Sequence, residues 1–246
     1  MPDKKAAIIL AAGQGKRMKS DLPKVLHKID GRPMITILMD TLTSMDFDRI
    51  VIVIGHKGEL IKQALTDYQV DFVWQREQLG TGHAVQMTSD LMADFDGTTL
   101  VAAGDVPFLS SQSINQLFEL HSHVGASATC LSAVLEDATG YGRIVREGDS
   151  DTLLEIIEHK DASPEVLTIN EINSGTFCFD NRALFVALKD VGCSNAQGEY
   201  YLTDTVKIMR NNGLRVAVIA CKNADEVRGV NSIEQLGELE RKFLSK

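Results

Sequence analysis

The chain has 246 residues, enough to bury one large core or a main domain with a small lobe. Its 44% hydrophobic and 24% charged residues are ordinary for a globular protein, and no apolar run approaches the ~20 residues needed to cross a bilayer. A net charge of −9 argues against a general nucleic-acid surface, so the basic cluster Lys16, Arg17, Lys19 and Lys24 stands out as suited to a small polyanion.

In chain order, Ala6-Ala7-Ile8-Ile9 reads as a buried first strand. The chain then turns at Gly13 and Gly15, where a missing Cβ lets backbone amides approach a ligand. Arg17 and Lys24 add two fixed positive charges, and Pro23 stiffens the backbone before the lysine. Together these features describe a cradle for a nucleoside triphosphate. Two competing motifs fail on spacing. A dinucleotide fingerprint needs a glycine where Met18 stands, and a Walker loop needs Ser or Thr where Arg17 follows Gly15-Lys16.

Further strands are predicted over 49–55, 70–75, 98–103, 128–135, 175–179 and 215–221. Helices are predicted over 34–45, 58–66, 82–92, 113–121, 182–189, 203–211 and 233–244. Such alternation predicts an α/β fold with an open, mostly parallel sheet, ligands binding beyond the carboxyl ends of its strands. Gly13 and Asp105 both follow strand-like runs and are expected at one rim. The stretch 140–160, with Gly148-Asp149-Ser150, reads instead as a hairpin within a small lobe.

The four cysteines lack CxxC spacing, and Cys130, Cys178 and Cys221 lie in apolar runs, so buried free thiols and a reducing, cytoplasmic setting are expected. The early first strand leaves no room for a signal peptide. His121 and His123, two apart on a helix, cannot share a face and read as a solvated pair rather than a zinc site.

The opening stretch Leu10-Ala11-Ala12-Gly13-Gln14-Gly15-Lys16-Arg17 with Pro23-Lys24 resembles the signature of the sugar-nucleotide pyrophosphorylases. Ordered blocks extend the likeness over nearly the whole chain: Gln75 to Ala84, Gly104-Asp105-Val106-Pro107, Thr139 to Ile144, Glu158 to Asp161, Glu171 to Gly175, Asn195 to Asp204 and Gly229-Val230-Asn231. They are similar to the uridyltransferase domain of GlmU-type bifunctional bacterial enzymes, which make UDP-N-acetylglucosamine. The resemblance implies a Rossmann-like mixed sheet of the nucleotide-diphospho-sugar transferase type. It implies a single nucleotidyltransferase domain over 1–246, with the sugar-side lobe roughly within 126–200. That family continues into a β-helical acetyltransferase domain, which 1–246 does not contain.

The implied reaction transfers UMP from UTP to N-acetylglucosamine 1-phosphate. Arg17 and Lys24 are the implied catalytic residues, beside the amides of Ala12 to Gly15. Asp105 is a natural ligand for Mg²⁺, which prefers hard oxygens and often takes few from the protein. Asn231 is implied as the second ligand, its alternative being an N-cap that Ser232 could supply instead. Uracil recognition falls by resemblance on Leu10, Ala11, Ala12, Gln75, Gly80 and Thr81. Gln75 carries both the donor and the acceptor that an imide edge requires. Ala103 and Gly104 border the metal residue, and the sugar side maps to Gly142, Glu158 and Asn173.

Two departures qualify the likeness: Lys16 replaces a common threonine, and Ala103 stands where some relatives carry a larger residue. The second leaves the acceptor open to other hexosamine 1-phosphates, such as the N-acetylgalactosamine or N-acetylmuramic acid compounds. A rival of another class is an inactive nucleotide-sugar sensor. The implied partners are the two substrates, without nucleic acid or membrane, in a monomer or dimer rather than a β-helix trimer.

Overall fold

The structure is a computed structural model that describes residues 4–244. Strand β1 (Lys5–Ala11) leads through the glycine turn into a small two-strand flap, β2 (Lys28–Ile29) and β3 (Arg32–Pro33). Helix α1 (Met34–Thr43) returns the chain to β4 (Arg49–Ile54), followed by α2 (Gly58–Ala64) and β5 (Asp71–Trp74). Helices α3 (Thr81–Gln86) and α4 (Ser89–Met92) precede β6 (Thr98–Ala103), and α5 (Ser111–Val124) precedes β7 (Ala128–Val134). A hairpin of β8 (Arg143–Arg146) and β9 (Leu153–Ile157) comes next, then α6 (Pro164–Leu167), the long β10 (Glu171–Asp180) and α7 (Asn181–Ala187). Helix α8 (Asp204–Asn211), β11 (Val216–Ala220) and α9 (Ile233–Leu244) follow.

The main sheet runs β11-β7-β10-β6-β1-β4-β5, with the β8–β9 hairpin attached to β10. Every pairing along that path is parallel except those of β10, which is antiparallel to β6 and β7. The open, mostly parallel sheet therefore agrees with the alternating pattern. Its central strands β1 and β4 are almost wholly apolar because both faces are covered. On one face Ile9, Ile52 and Ile54 pack with Leu38, Leu42, Ile61 and Leu117 from helices. On the other, Ile8, Val51 and Phe177 meet Val85, Leu184, Val206 and Met209.

The chain proceeds from β1 outward to β4 and β5, then jumps back to β6 on the other flank of β1. This reversal opens a crevice past the carboxyl ends of β1 and β6. Register places Leu10 beside Ala103, and the Gly104 amide donates to the Leu10 carbonyl at 2.9 Å. The glycine turn and Asp105 consequently share one rim.

Several local expectations are corrected. The single helix over 82–92 is two short ones, α3 and α4. Strand β10 is longer than predicted and reverses direction, which no local periodicity reveals. His121 is not solvated. It continues the stripe Ile114, Leu117 and Phe118 at helical spacing and is 6% exposed, with Nδ1 2.9 Å from the Thr129 hydroxyl. Burial pushes its pKa down to about 4. His123 is exposed as expected. Cys130 and Cys178 are buried, whereas Cys221 is only half-buried beside the Asn223 carbonyl. Among the described residues no helix is long and apolar enough to cross a membrane.

Candidate nucleotide site

At the crevice lies a cavity of about 350 Å³. Leu10, Ala11, Ala12 and Gly13 form the side that continues β1. Gln75, Gly80 and Thr81 form the facing wall, and Ala103 and Asp105 enter from the end of β6, with Lys24 between them. A larger depression of about 970 Å³ runs along α5, but it has neither the glycine turn nor the paired charges.

Gly15 makes the cradle possible. It adopts φ +61°, and a Cβ there would lie 2.8 Å from the Lys24 Cβ. The turn therefore folds directly against the backbone that presents Lys24. The Lys24 ammonium donates to Asp105 Oδ2 and, at 3.2 Å, to Asn231 Oδ1. Arg17 Nη2 donates to the same amide oxygen at 2.9 Å. Four residues expected to act on phosphate or metal thus form one network, although Arg17 and Asn231 are 214 positions apart. Asn231 is not needed as a cap, because the Ser232 hydroxyl accepts from the Gln235 amide at the start of α9. Asp105 is buried, and its main-chain carbonyl accepts from Val230, which brings the Gly229-Val230-Asn231 segment to it.

The base-side wall differs in detail from expectation. Gln75 is 3% exposed, and its amide donates to the Gly80 carbonyl and lies 3.0 Å from His83 Nδ1. Its donor is thereby committed, and only the carbonyl Oε1 lacks a partner among the described residues. Gly80 has φ +117°, and a Cβ there would meet the Tyr200 carbonyl at 2.5 Å. Its smallness admits the Tyr200 backbone, not a ligand. The Thr81 hydroxyl accepts from the Leu202 amide at 3.1 Å, so it bonds across the fold instead of capping α3. Gly104 does not line the cavity; it packs against Val25 and the Leu10 carbonyl.

Gly142, Glu158 and Asn173 come together at the open end of the hairpin. The Asn173 amide donates to the Gly142 carbonyl at 2.9 Å, and a Cβ on Gly142 would lie 3.4 Å from either Glu158 oxygen. Asn173 Oδ1 accepts from the Gly175 amide at a β-bulge. Glu158 accepts from the Thr203 hydroxyl at 3.0 Å. Burial first, then Asp204, Asp161 and Glu199, raise its pKa.

Four participants were not foreseen. Glu199 lines the cavity and also bears on Glu158, linking the two halves. Gln78 also lines it, donating to the Gln75 carbonyl and accepting from Gln14 at 3.0 Å. Thr203 orients Glu158 across 45 positions. The phenol of Tyr141, its pKa raised chiefly by burial, feels Arg228, Asp105 and Arg17. Each lies within a recognised block, but its direction depends on distant contacts.

Comparison with known proteins agrees with this geometry. Residues 7–163 match the MobA-like NTP transferase domain, a stretch that holds the glycine turn, Lys24, Gln75, Asp105 and Glu158. The chain belongs to that family. This NTP transferase is 46% identical over 234 residues to the bifunctional protein GlmU of Shouchella clausii, covering 95% of the chain and 51% of that relative. With the GlmU of Streptococcus sanguinis it shares 49% identity, covering 92% and 49% of the two chains. The chain spans about half the length of the curated relatives it matches. Among solved structures, a UDP-glucose pyrophosphorylase complexed with UDP-glucose superposes with a TM-score of 0.76 at 17% identity, over 98% of this chain and 99% of the other. The inositol-1-phosphate CTP transferase of T. maritima gives 0.72 at 17% identity, over 98% and 96%. These two establish a shared nucleotidyltransferase fold.

Proposed function

We propose that this chain transfers UMP from UTP to N-acetylglucosamine 1-phosphate and releases pyrophosphate. The observation that carries the reading is the network of Arg17, Asn231, Lys24 and Asp105 at the rim of a cavity of nucleotide size. Identity of 46–49% to GlmU proteins over nearly the whole chain supports the choice of base and sugar.

Nucleotidyl transfer asks the protein mainly for positioning and charge neutralisation. The acceptor phosphate oxygen attacks the α-phosphorus in line; the bond to the bridging oxygen breaks, and pyrophosphate leaves with that electron pair. Arg17, Lys24 and the amides of Ala12 to Gly15 stabilise the charge on the α-phosphate and leaving group. Leu10, Ala11 and Ala12 support the uracil, Gln75 Oε1 accepts its imide N–H, and the Gly80–Thr81 backbone contacts its edge. Glu158 accepts from sugar hydroxyls, Asn173 donates, and Gly142 keeps that wall open, which makes 126–200 the sugar-side lobe of a single domain.

Asp105 and Asn231 would hold Mg²⁺. Their oxygens already converge on one ammonium, and a carboxylate and an amide oxygen are the hard donors Mg²⁺ prefers. Among the described residues no cluster of three or more His, Cys, Asp or Glu could hold a metal, so nucleotide phosphates and water would supply the remaining ligands. When bound, the ion neutralises phosphate charge. The four free thiols fit a cytoplasmic enzyme, working as a monomer or dimer.

The test is coupled pyrophosphate release with each nucleoside triphosphate and a panel of hexosamine 1-phosphates. Turnover should be greatest with UTP and N-acetylglucosamine 1-phosphate. Clear turnover with CTP or GTP and none with UTP would overturn the assignment.

A further inference from the structure

Beside the nucleotide cavity lies a second one of about 260 Å³, and Gly13 lines both. Its other walls are Gln14 on the glycine turn, Ser20, Asp21, Leu22 and Pro23 on the segment leading to Lys24, and His56 and Lys57 from the segment between β4 and α2. Lys57 adopts φ +55° and ψ +29°, a left-handed conformation that glycine takes freely and lysine does not. Its ammonium donates to the Asp21 main-chain carbonyl at 2.5 Å and lies 3.4 Å from the Asp21 carboxylate. That carboxylate is fully exposed, so it screens the ammonium only weakly. A strained backbone here therefore places a cation on the wall of a polar chamber that opens from the triphosphate cradle.

We propose that this chamber receives the β- and γ-phosphates of the nucleotide and the pyrophosphate they become, with Lys57 as their cationic contact and His56 and Ser20 as further donors. The proposal rests on the uridylyltransferase reading. In that reaction the acceptor approaches from the side of Glu158 and Asn173, past Glu199. In-line displacement then sends the leaving group the opposite way, toward Gly13. The existing bond to the Asp21 carbonyl gives Lys57 a second role. It ties residues 20–23 to the start of α2, and this short segment carries directly into Lys24. Arrival of a polyphosphate tail lets the ammonium exchange a carbonyl and one exposed carboxylate for a multiply charged anion, the stronger partner.

Two measurements test the proposal. Inorganic pyrophosphate is titrated calorimetrically into the native protein and into Lys57→Gly, Lys57→Met and Lys57→Arg, with and without Mg²⁺. Lys57→Gly relieves the left-handed strain, so loss of fold is not the expected outcome, and circular dichroism checks it. The Gly and Met variants should bind pyrophosphate about tenfold more weakly, and Arg should restore most of the affinity. In the reverse reaction, KM for pyrophosphate should rise by a similar factor while KM for the UDP-sugar stays constant. Equal pyrophosphate affinity in the native and Gly proteins, or no binding to the native protein, would overturn the proposal. If the native protein fails to turn over UTP, the functional reading falls, and the calorimetric comparison still decides whether Lys57 holds pyrophosphate.

Discussion

The Lys24 ammonium occupies the point where Asp105 Oδ2 and Asn231 Oδ1 converge, so the protein's own cation sits at the metal position proposed above. The Lys24 ammonium and a divalent ion cannot both sit between Asp105 Oδ2 and Asn231 Oδ1. An incoming phosphate should draw the ammonium away and free them.

Metal and nucleotide binding should accordingly be coupled. Mn²⁺ followed by electron paramagnetic resonance should bind the native protein weakly alone and at least tenfold more tightly with UTP. Lys24→Met should bind Mn²⁺ more tightly than the native protein without nucleotide, yet lose about 10²–10³ in kcat, as removal of an electrostatic stabiliser commonly does. Asp105→Asn should lose both metal affinity and rate. Unchanged Mn²⁺ affinity in Lys24→Met would refute the competition.

Gly80 should tolerate no side chain. A Cβ there would lie 2.5 Å from the Tyr200 carbonyl, in a backbone conformation with φ +117°. Gly80→Ala should cost at least the roughly 1–3 kcal/mol of a strained backbone, lowering Tm by several degrees. Nucleotide affinity should fall as well, because Gly80 and Gln75 share a hydrogen bond. Scanning calorimetry reads the first effect, and a native-like Tm would contradict it.

His121 should make stability depend on pH. Its folded pKa, about 4, lies below the unfolded value of 6.5, so the unfolded chain binds the extra proton. Stability is complete above pH 6.5 and declines as pH falls toward 4, by roughly 2 kcal/mol at pH 5 for this one group. Urea unfolding at pH 7 and pH 5 should show a smaller difference for His121→Gln than for the native protein. Identical pH dependence in the two proteins would exclude the residue.

Ala103 lines the nucleotide cavity and does not face the core. Ala103→Tyr should narrow the range of hexosamine 1-phosphates accepted while sparing N-acetylglucosamine 1-phosphate. A small apolar contact discriminates by only about 1–3 kcal/mol, so the narrowing should lie within roughly 5- to 150-fold in kcat/KM. Equal ratios across acceptors for both proteins would show that this position does not set the choice.

Local order along the chain was enough to read β1 with its glycine turn, the alternation of strands and helices, and the residues carrying charge. Strand pattern repeats every two residues and helix pattern every three to four, so neighbours in sequence suffice. The same short range explains the errors. Nothing near β10 reveals that it runs against β6 and β7, since direction depends on which strands it joins. Asn231 joins Arg17, Lys24 and Asp105 only because the Val230 amide bonds to the Asp105 carbonyl and brings it beside Arg17. The amide of Gln75 looks like a free reader of bases until the fold commits its donor to Gly80 and His83. The missing side chain of Gly80 looks like room for a ligand until the Tyr200 backbone packs against it, although Gly80 still lines the cavity. Composition and spacing determined which chemical groups the chain owns and roughly where they sit on strands and turns. Tertiary packing decided which of those groups remain unpaired and face one cavity, because a hydrogen bond between residues 214 positions apart is set by the whole fold and not by the segment that holds either partner.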